Sequence, residues 1–214
     1  MKKPFIGWLT CALALAIFAG CGGAPRSGIA RGNQLYDTCV PCHGDRGHGD
    51  RVLGAPSIAG LPQWYLDAQI NKFARGIRGA HPDDMEGARM RPMARTLKNA
   101  SDVASVAEYV ASLAPFRPAD TYPAGDVEAG RTRYDGLCVT CHGPNGTGNQ
   151  ELGSPDLTHQ ADWYMLAQLK KFKGGMRGAH PEDIQGAQMA AMSQTLEDDQ
   201  AMKDVIAYIR TLRP

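Results

Sequence analysis

Two short segments of this 214-residue chain combine thiols with an imidazole at a fixed spacing. They are Cys39-Val-Pro-Cys42-His43 and Cys138-Val-Thr-Cys141-His142, and both have the pattern Cys-x-x-Cys-His. This spacing lets both sulfurs reach the two vinyl groups of one porphyrin while the His lies under the iron, so it predicts covalent attachment of c-type haem. A Cys-x-x-Cys pair alone would also suit a redox dithiol or half of a zinc site. Each copy has its own His and no further Cys pair completes a zinc site, which favours haem.

A methionine follows each motif at the same distance, 47 residues after the motif His. These residues are Met90 and Met189, and each has a second Met three residues later, Met93 and Met192. A thioether opposite the His would fill the second axial position of the iron and raise its reduction potential, which suits electron transfer. The alternative is that these methionines only fill gaps in the core, as Met commonly does. Their recurrence favours ligation.

The chain is a tandem repeat with a constant offset of 99 residues. The offset relates Cys39 to Cys138, Trp64 to Trp163 and Tyr109 to Tyr208, without an insertion. Repetition over this length predicts two copies of one structural unit. We therefore predict two haem domains, 30–114 and 126–214, joined by a Pro-rich linker, 115–125.

Both units are predicted to be helical. Apolar residues recur at helical spacing from Trp64 to Arg75 and from Asp102 to Leu113, and again in the second copy. Strand signals are weak, and the 25 Gly and 14 Pro indicate many turns. We expect an all-α fold with the order helix, loop, helix, loop, helix in each unit, and with the Met pairs in the last loop.

The N-terminus has the features of an export signal. Lys2 and Lys3 precede an apolar run that ends at Ala19, and residues 1–21 fit a secretory signal. Phe18-Ala19-Gly20-Cys21 resembles the bacterial lipobox, which implies an acylated Cys21, a tether over 22–29 and attachment to a membrane. The 23 Lys and Arg nearly balance the 22 Asp and Glu, so no basic surface for nucleic acid is expected.

Together these motifs resemble the class I cytochromes c, and their duplication resembles the diheme cytochrome c4 type. The resemblance implies two small helical domains, each wrapped around one covalent haem c. It selects Met90 and Met189 as ligands, because each stands seven residues before a Leu, and it assigns the carbonyls of Pro56 and Pro155 to the haem histidines. It also implies that the first helix crosses the last at Gly32 in one unit and at Gly130 in the other.

The resemblance further implies an exported electron carrier. Such a protein passes single electrons between respiratory complexes on the periplasmic side of a bacterial membrane, for example from a quinol-oxidising complex to a terminal oxidase or reductase. The alternative is a diheme enzyme, such as a peroxidase or a thiosulfate-oxidising cytochrome, and a third possibility is a structural or sensory subunit. The repeated Arg78 and Arg177 are expected either near haem propionates or in solvated loops.

Overall fold

The computed structural model describes residues 25–122 and 125–212. The predicted signal segment and Cys21 lie outside these ranges. Within them all regular structure is helical, apart from two isolated bridges that close loops, Asp50 with Ala55 and Asn149 with Ser154. The predicted all-α class is confirmed. Among the described residues, no helix has the length and apolar character that a membrane span requires.

The helices form two sets that repeat along the chain, here called unit 1 and unit 2. Unit 1 contains α1 (Gly28–Tyr36), α2 (Val40–His43), α3 (Gln63–Arg75), α4 (Met85–Ala94) and α5 (Ala100–Ser112). Unit 2 contains α6 (Val127–Arg133), α7 (Val139–His142), α8 (Asp162–Lys173), α9 (Ile184–Gln194) and α10 (Asp199–Thr211). A π-helical turn, Tyr134–Cys138, joins α6 to α7.

The segment that holds each Met pair is helical, so its prediction as a loop was wrong. Pro92 lies inside α4, where proline removes a backbone donor and is usually a helix breaker. The start of the helix is nevertheless fixed, because the carboxylate of Asp84 accepts the N–H of Gly87 at 3.0 Å. Asp183 caps α9 in the same way, through Gly186 at 3.1 Å.

The first and last helices of each unit cross at a glycine, as the resemblance implied. A Cβ on Gly32 would lie 2.0 Å from the carbonyl oxygen of Ser105 on α5. A Cβ on Gly130 would lie 1.9 Å from the carbonyl oxygen of Asp204 on α10. Only the missing side chain allows the two backbones to touch. This crossing fixes the helix that leads into each Cys-x-x-Cys-His segment.

A buried tyrosine connects each crossing to the motif. Tyr36 is the last residue of α1, Tyr134 is the first residue of the π-helical turn that follows α6, and both are almost completely buried. The Tyr36 hydroxyl donates to the carbonyl of Gly44 at 2.9 Å, and the Tyr134 hydroxyl donates to that of Gly143 at 2.7 Å. Because these glycines directly follow the motif histidines, the hydrogen bonds hold the motif against the helix crossing.

We expect Gly130→Ala to lower the free energy of unfolding of unit 2 by about 1–3 kcal/mol, the usual cost of overpacking. The Asp204 carbonyl belongs to the backbone of α10 and cannot retreat alone. Gly136→Ala is the matched control, because a Cβ there would meet no atom within 4 Å. Thermal unfolding followed by circular dichroism measures both variants, and equal destabilisation would contradict the close crossing.

Each unit buries its own apolar core, against which the first motif cysteine packs. The core of unit 1 comprises Tyr36, Leu61, Leu66, Val106, Ala107 and Val110. The core of unit 2 comprises Tyr134, Met165, Leu166, Leu196, Ala201, Met202, Val205, Ile206 and Ile209. Cys39 and Cys138 are partly buried against these clusters. The attachment motif is therefore part of the packing of each unit.

Candidate functional site

Each Cys-x-x-Cys-His segment forms a single helical turn. The N–H of His43 donates to the carbonyl of Cys39 at 2.9 Å, and Gly44 ends the turn with φ +75°. A positive φ of this kind favours glycine. The turn leaves Cys39 half-buried, exposes Cys42 and buries His43. The second unit repeats this arrangement.

One nitrogen of each motif imidazole is held by a proline carbonyl. Nδ1 of His43 lies 3.0 Å from the Pro56 oxygen, and Nδ1 of His142 lies 3.0 Å from the Pro155 oxygen. A carbonyl only accepts hydrogen bonds, so Nδ1 must donate and the lone pair of the neutral ring is on Nε2. This is the orientation that a haem-ligating His requires.

A glycine lets the proline loop approach the imidazole. The N–H of Gly49 donates to the His43 carbonyl at 2.9 Å. A Cβ on Gly49, whose φ is +80°, would lie 2.5 Å from the carbonyl carbon of Pro56. Gly148 stands at the equivalent place, where a Cβ would lie 2.6 Å from the carbonyl carbon of Pro155. Any larger residue would push the carbonyl away from the ring.

The protonation of these groups fits metal ligation better than dithiol chemistry. Burial lowers the pKa of His43 and His142, although the proline hydrogen bonds oppose it, so both rings are neutral near pH 7. Burial, followed by the charge of the second cysteine, raises the pKa of Cys39 and Cys138 to about 11. Reactive dithiols instead have a lowered thiol pKa. The burial of the first cysteine therefore argues against a redox dithiol.

A zinc site also fails to fit. Zinc in proteins takes three or four ligands from Cys, His, Asp or Glu. Across residues 25–122 and 125–212, no group of three or more such side chains is arranged to hold a metal ion. Each motif thus supplies one neutral imidazole and a pair of thiols, a donor set that suits a porphyrin iron and its vinyl groups.

The methionines differ in burial within each pair. Met90 on α4 and Met189 on α9 are half-buried. Met93 is 36% exposed and Met192 is 43% exposed. An iron ligand must approach the buried imidazole, so the burial favours the first Met of each pair. With the imidazole and the thiols, this Met would give each unit the donors that a His/Met haem c requires.

His81 and His180, two histidines that also recur 99 residues apart, have a local role. Nδ1 of His81 accepts the N–H of Asp83 at 3.2 Å, and Nδ1 of His180 accepts that of Glu182 at 3.2 Å. These contacts shape the turn before the Met-bearing helix.

Reciprocal ion pairs join the two units. Lys72 Nζ on α3 lies 2.6 Å from an Asp183 oxygen, and Lys171 on α8 pairs with Asp84. Lys171 is the repeat equivalent of Lys72, and Asp183 is that of Asp84, each 99 residues further along the chain. The contact between the units therefore has approximate two-fold symmetry. Both carboxylates are only 2% exposed. Because they also cap α4 and α9, each Met-bearing helix is fixed by a lysine from the other unit.

The repeated arginines lie at the same interface. Arg78 is buried, and its guanidinium donates to Tyr164 at 2.9 Å and to Gln168 at 3.0 Å, both in unit 2. Arg177 reciprocates, donating to Tyr65 at 3.5 Å and to Gln69 at 3.2 Å in unit 1. The expectation of a solvated loop charge was therefore wrong for Arg78. This interface was not predicted from the sequence. A signal for it exists, because Gln69 and Lys72 recur as Gln168 and Lys171 on the second aromatic helix.

We expect Lys72→Met to destabilise unit 2 rather than the unit that carries the substitution. It leaves the buried Asp183 carboxylate without its cation, which costs about 3–5 kcal/mol. Lys98→Met is the matched control, because Lys98 is exposed and forms no ion pair with another described residue. Hydrogen exchange of the α9 amides measures the effect, and faster exchange in α4 alone would contradict it.

A family model for cytochrome c matches residues 29–114 and 127–213. The chain is 35% identical to the thiosulfate dehydrogenase electron acceptor of Thiomonas intermedia. The alignment spans 153 residues and covers 67% of this chain and 66% of that protein. It is 34% identical over 161 residues to cytochrome c4 of Azotobacter vinelandii, over 69% of this chain and 73% of that one.

Among solved structures, the chain resembles the thiosulfate dehydrogenase TsdBA of Marichromatium purpuratum in its as-isolated form. The TM-score is 0.67 and the sequence identity is 32%. The match covers 86% of this chain and 40% of that chain. The present chain therefore spans less than half of that larger protein.

Proposed function

Because the chain belongs to the cytochrome c family, with two cytochrome c domains that each bind one covalent haem c, we propose that it carries single electrons between larger redox proteins. The observation that carries this proposal is the repeated donor set. Each unit has a thiol pair, a buried imidazole whose Nδ1 is already engaged, and a half-buried thioether on a capped helix. No residue of this set differs between the units.

The proposed site residues divide by role. The thiols of Cys39 and Cys42 attach the first haem, and those of Cys138 and Cys141 attach the second. His43 and His142 would each bind the iron of one haem through Nε2, oriented by the carbonyls of Pro56 and Pro155. Met90 and Met189 would each supply a thioether as the second protein ligand. The haem supplies a metal centre that gains and loses one electron without bond rearrangement.

Occupation of both axial positions favours a carrier over an enzyme. An enzyme such as a peroxidase needs an iron with an open position or a displaceable ligand, whereas the two units here offer the same His and Met. The absorption spectrum of the oxidised protein tests this difference. We expect a thioether-to-iron charge-transfer band that accounts for two haems. A high-spin component that binds cyanide at rest would support the enzyme instead.

The relatives suggest a class of donor. The Thiomonas intermedia relative is described as the electron acceptor of thiosulfate dehydrogenase, as is one from Stutzerimonas stutzeri. We propose that this chain likewise accepts electrons from a periplasmic dehydrogenase or quinol-oxidising complex and delivers them to a terminal oxidase or reductase. Stopped-flow reduction of the oxidised protein by purified thiosulfate dehydrogenase and thiosulfate tests which donor serves this chain. It distinguishes a periplasmic dehydrogenase from a quinol-oxidising complex.

We also propose that the protein is exported and held at the periplasmic side of a membrane by a lipid on Cys21. The support is the signal-like segment 1–21 and its lipobox-like end. Mass spectrometry of the N-terminal peptide tests it. A diacylglyceryl adduct on Cys21 is expected, and a free thiol at that position would overturn the anchor.

A further inference from the structure

Residues 115–122, here called the strap, run between the units and are fastened to unit 2 by two side chains. The Asp162 carboxylate accepts the N–H of Thr121 at 2.6 Å and that of Tyr122 at 2.9 Å. Burial alone would raise the pKa of Asp162, but these hydrogen bonds hold it below its usual value, so the acceptor is ionised. The Arg210 guanidinium donates to the carbonyl of Pro118 at 2.5 Å. Hydrogen bonds to charged groups are the stronger kind, so this end of the strap is fixed.

The other end of the strap lies on unit 1. The Phe116 ring stacks on the His48 ring, with 3.8 Å between the ring centroids and 13° between the planes. The hydroxyl of Ser57, a buried residue, donates to the Phe116 carbonyl at 3.4 Å. His48 and Ser57 belong to one loop, residues 44–57, which follows the first attachment motif. The strap therefore contacts this loop at two points.

That loop positions the imidazole of unit 1. Ser57 directly follows Pro56, whose carbonyl accepts the Nδ1–H of His43 at 3.0 Å. His48 directly precedes Gly49, whose N–H donates to the His43 carbonyl at 2.9 Å. Each contact of the strap is thus one residue away from a group that holds the motif histidine.

Unit 2 also reaches the loop directly, through a glutamine. The side-chain amide of Gln160 donates to the carbonyl of Ser57 at 3.4 Å, in a buried position. The backbone carbonyl of Gln160 accepts from Arg210 at 3.0 Å. Arg210, which also holds the strap at Pro118, therefore connects both supports of the loop to the last helix of unit 2.

The equivalent loop of unit 2 is closed in a different way. Thr147 and Asp156 stand there in place of His48 and Ser57, and Thr147 is exposed. The Asp156 carboxylate accepts the N–H of Thr158 at 2.6 Å and its hydroxyl at 2.7 Å, both within the same unit. The unit 2 residues that support the strap and the first loop are not repeated either: Gln160, Asp162 and Arg210 stand where unit 1 has Leu61, Gln63 and Ala111. The haem donors are repeated, whereas the strap contacts are not.

We propose that the strap is a positioning element for the imidazole of unit 1. Phe116 holds His48 and Ser57 in place, and the loop they belong to keeps the Pro56 carbonyl against Nδ1 of His43. This rests on the proposed function, because that hydrogen bond matters for electron transfer only if the unit holds a redox-active haem. A carbonyl on Nδ1–H makes an imidazole a better donor to the iron and so favours its oxidised form. Contacts from outside unit 1 therefore help to set the reduction potential of its haem.

Hydrogen exchange of the imidazole N–H tests the proposal directly. In the haem-loaded, fully reduced protein, NMR of isotope-labelled histidine follows the Nδ1–H signals of His43 and His142, and the second is the internal reference. We expect Phe116→Leu and His48→Thr to speed exchange at His43 about 10-fold, the ratio that corresponds to one hydrogen bond of ordinary net strength. His48→Thr installs the residue that unit 2 has at this position. Exchange at His142 stays unchanged.

A redox titration gives the second readout. A weaker hydrogen bond makes the imidazole of unit 1 a poorer donor to oxidised iron, so we expect the potential of that haem to rise and that of the other to stay unchanged. His48→Phe keeps a stacked ring on Phe116 and is expected to retain the wild-type potential and exchange rate. Circular dichroism shows that each variant is folded.

A substitution in unit 2 provides a test across the interface. Arg210→Met removes the guanidinium that holds the strap, and we expect it to speed exchange at His43 rather than at His142 in its own unit. Lys170→Met is the matched control, because Lys170 is an exposed cation of unit 2 that pairs with Asp199 in the same unit. This control is expected to leave both signals at their wild-type rates.

Three results would overturn the inference. Unchanged exchange at His43 in both Phe116→Leu and His48→Thr would show that the strap does not hold the imidazole. Equal acceleration at His43 and His142 would reduce the effect to a general loosening of the protein. Exchange in His48→Phe as fast as in His48→Thr would show that the stacked ring plays no part. Failure of the wild-type protein to pass electrons between redox proteins would instead refute the proposed function and would leave these exchange rates unaffected.

Discussion

Replacing Met90 by Ala is expected to remove the thioether-to-iron charge-transfer band of one haem and leave that of the other. The loss of a thioether exposes one axial position and removes the ligand that raises the potential. We expect the potential of that haem to fall by on the order of 0.1 V or more, since axial ligands set haem potentials over about 0.8 V. Absorption spectroscopy and a redox titration measure both effects, and cyanide should then bind one haem per molecule.

Matched controls separate ligation from packing. Met93→Ala removes the same side chain one turn further along α4, where the residue is more exposed, and should keep both bands. Met189→Ala should reproduce the effect in unit 2, with Met192→Ala as its control. If the Met93 and Met192 variants lose the bands instead, the second methionine of each pair is the ligand.

The second large effect is expected from Cys39→Ser/Cys42→Ser. Without thiols the first haem cannot attach, and the mass of the exported protein falls by one haem while unit 2 keeps its own. The main apolar cluster of unit 1 contains six buried residues, and a domain of about 90 residues is marginally stable without a covalent apolar cofactor. We therefore expect unit 1 to unfold, which circular dichroism detects as a large loss of helix signal.

Cys21→Ser is the control, because it removes a thiol outside the two attachment motifs. This variant should keep both haems. Cys138→Ser/Cys141→Ser should give the mirror result, with haem retained only in unit 1. A protein that kept two haems after Cys39→Ser/Cys42→Ser would contradict the assignment of those thiols. Retention of full helix signal without the haem would contradict its role in folding.

The sequence by itself determined the chemistry and the repeat. Cys-x-x-Cys-His is a local pattern whose meaning depends on covalent spacing, and the constant offset of 99 residues requires two copies of one unit. The aromatic helices and the last helices were also predicted, with ends within about two residues of those observed. Their apolar residues face a core and therefore recur at helical spacing in the sequence. The crossing at Gly32 and Gly130 followed from the resemblance.

Only the tertiary structure decided how the units meet and how their methionines are positioned. Pro92 and the small residues of α4 and α9 gave no helical pattern, and those helices start where buried Asp84 and Asp183 cap them. The same carboxylates bind Lys171 and Lys72 from the other unit, a contact between residues 87 and 111 positions apart. Pairing across such a distance depends on how two complete surfaces pack, and no local pattern of residues specifies that.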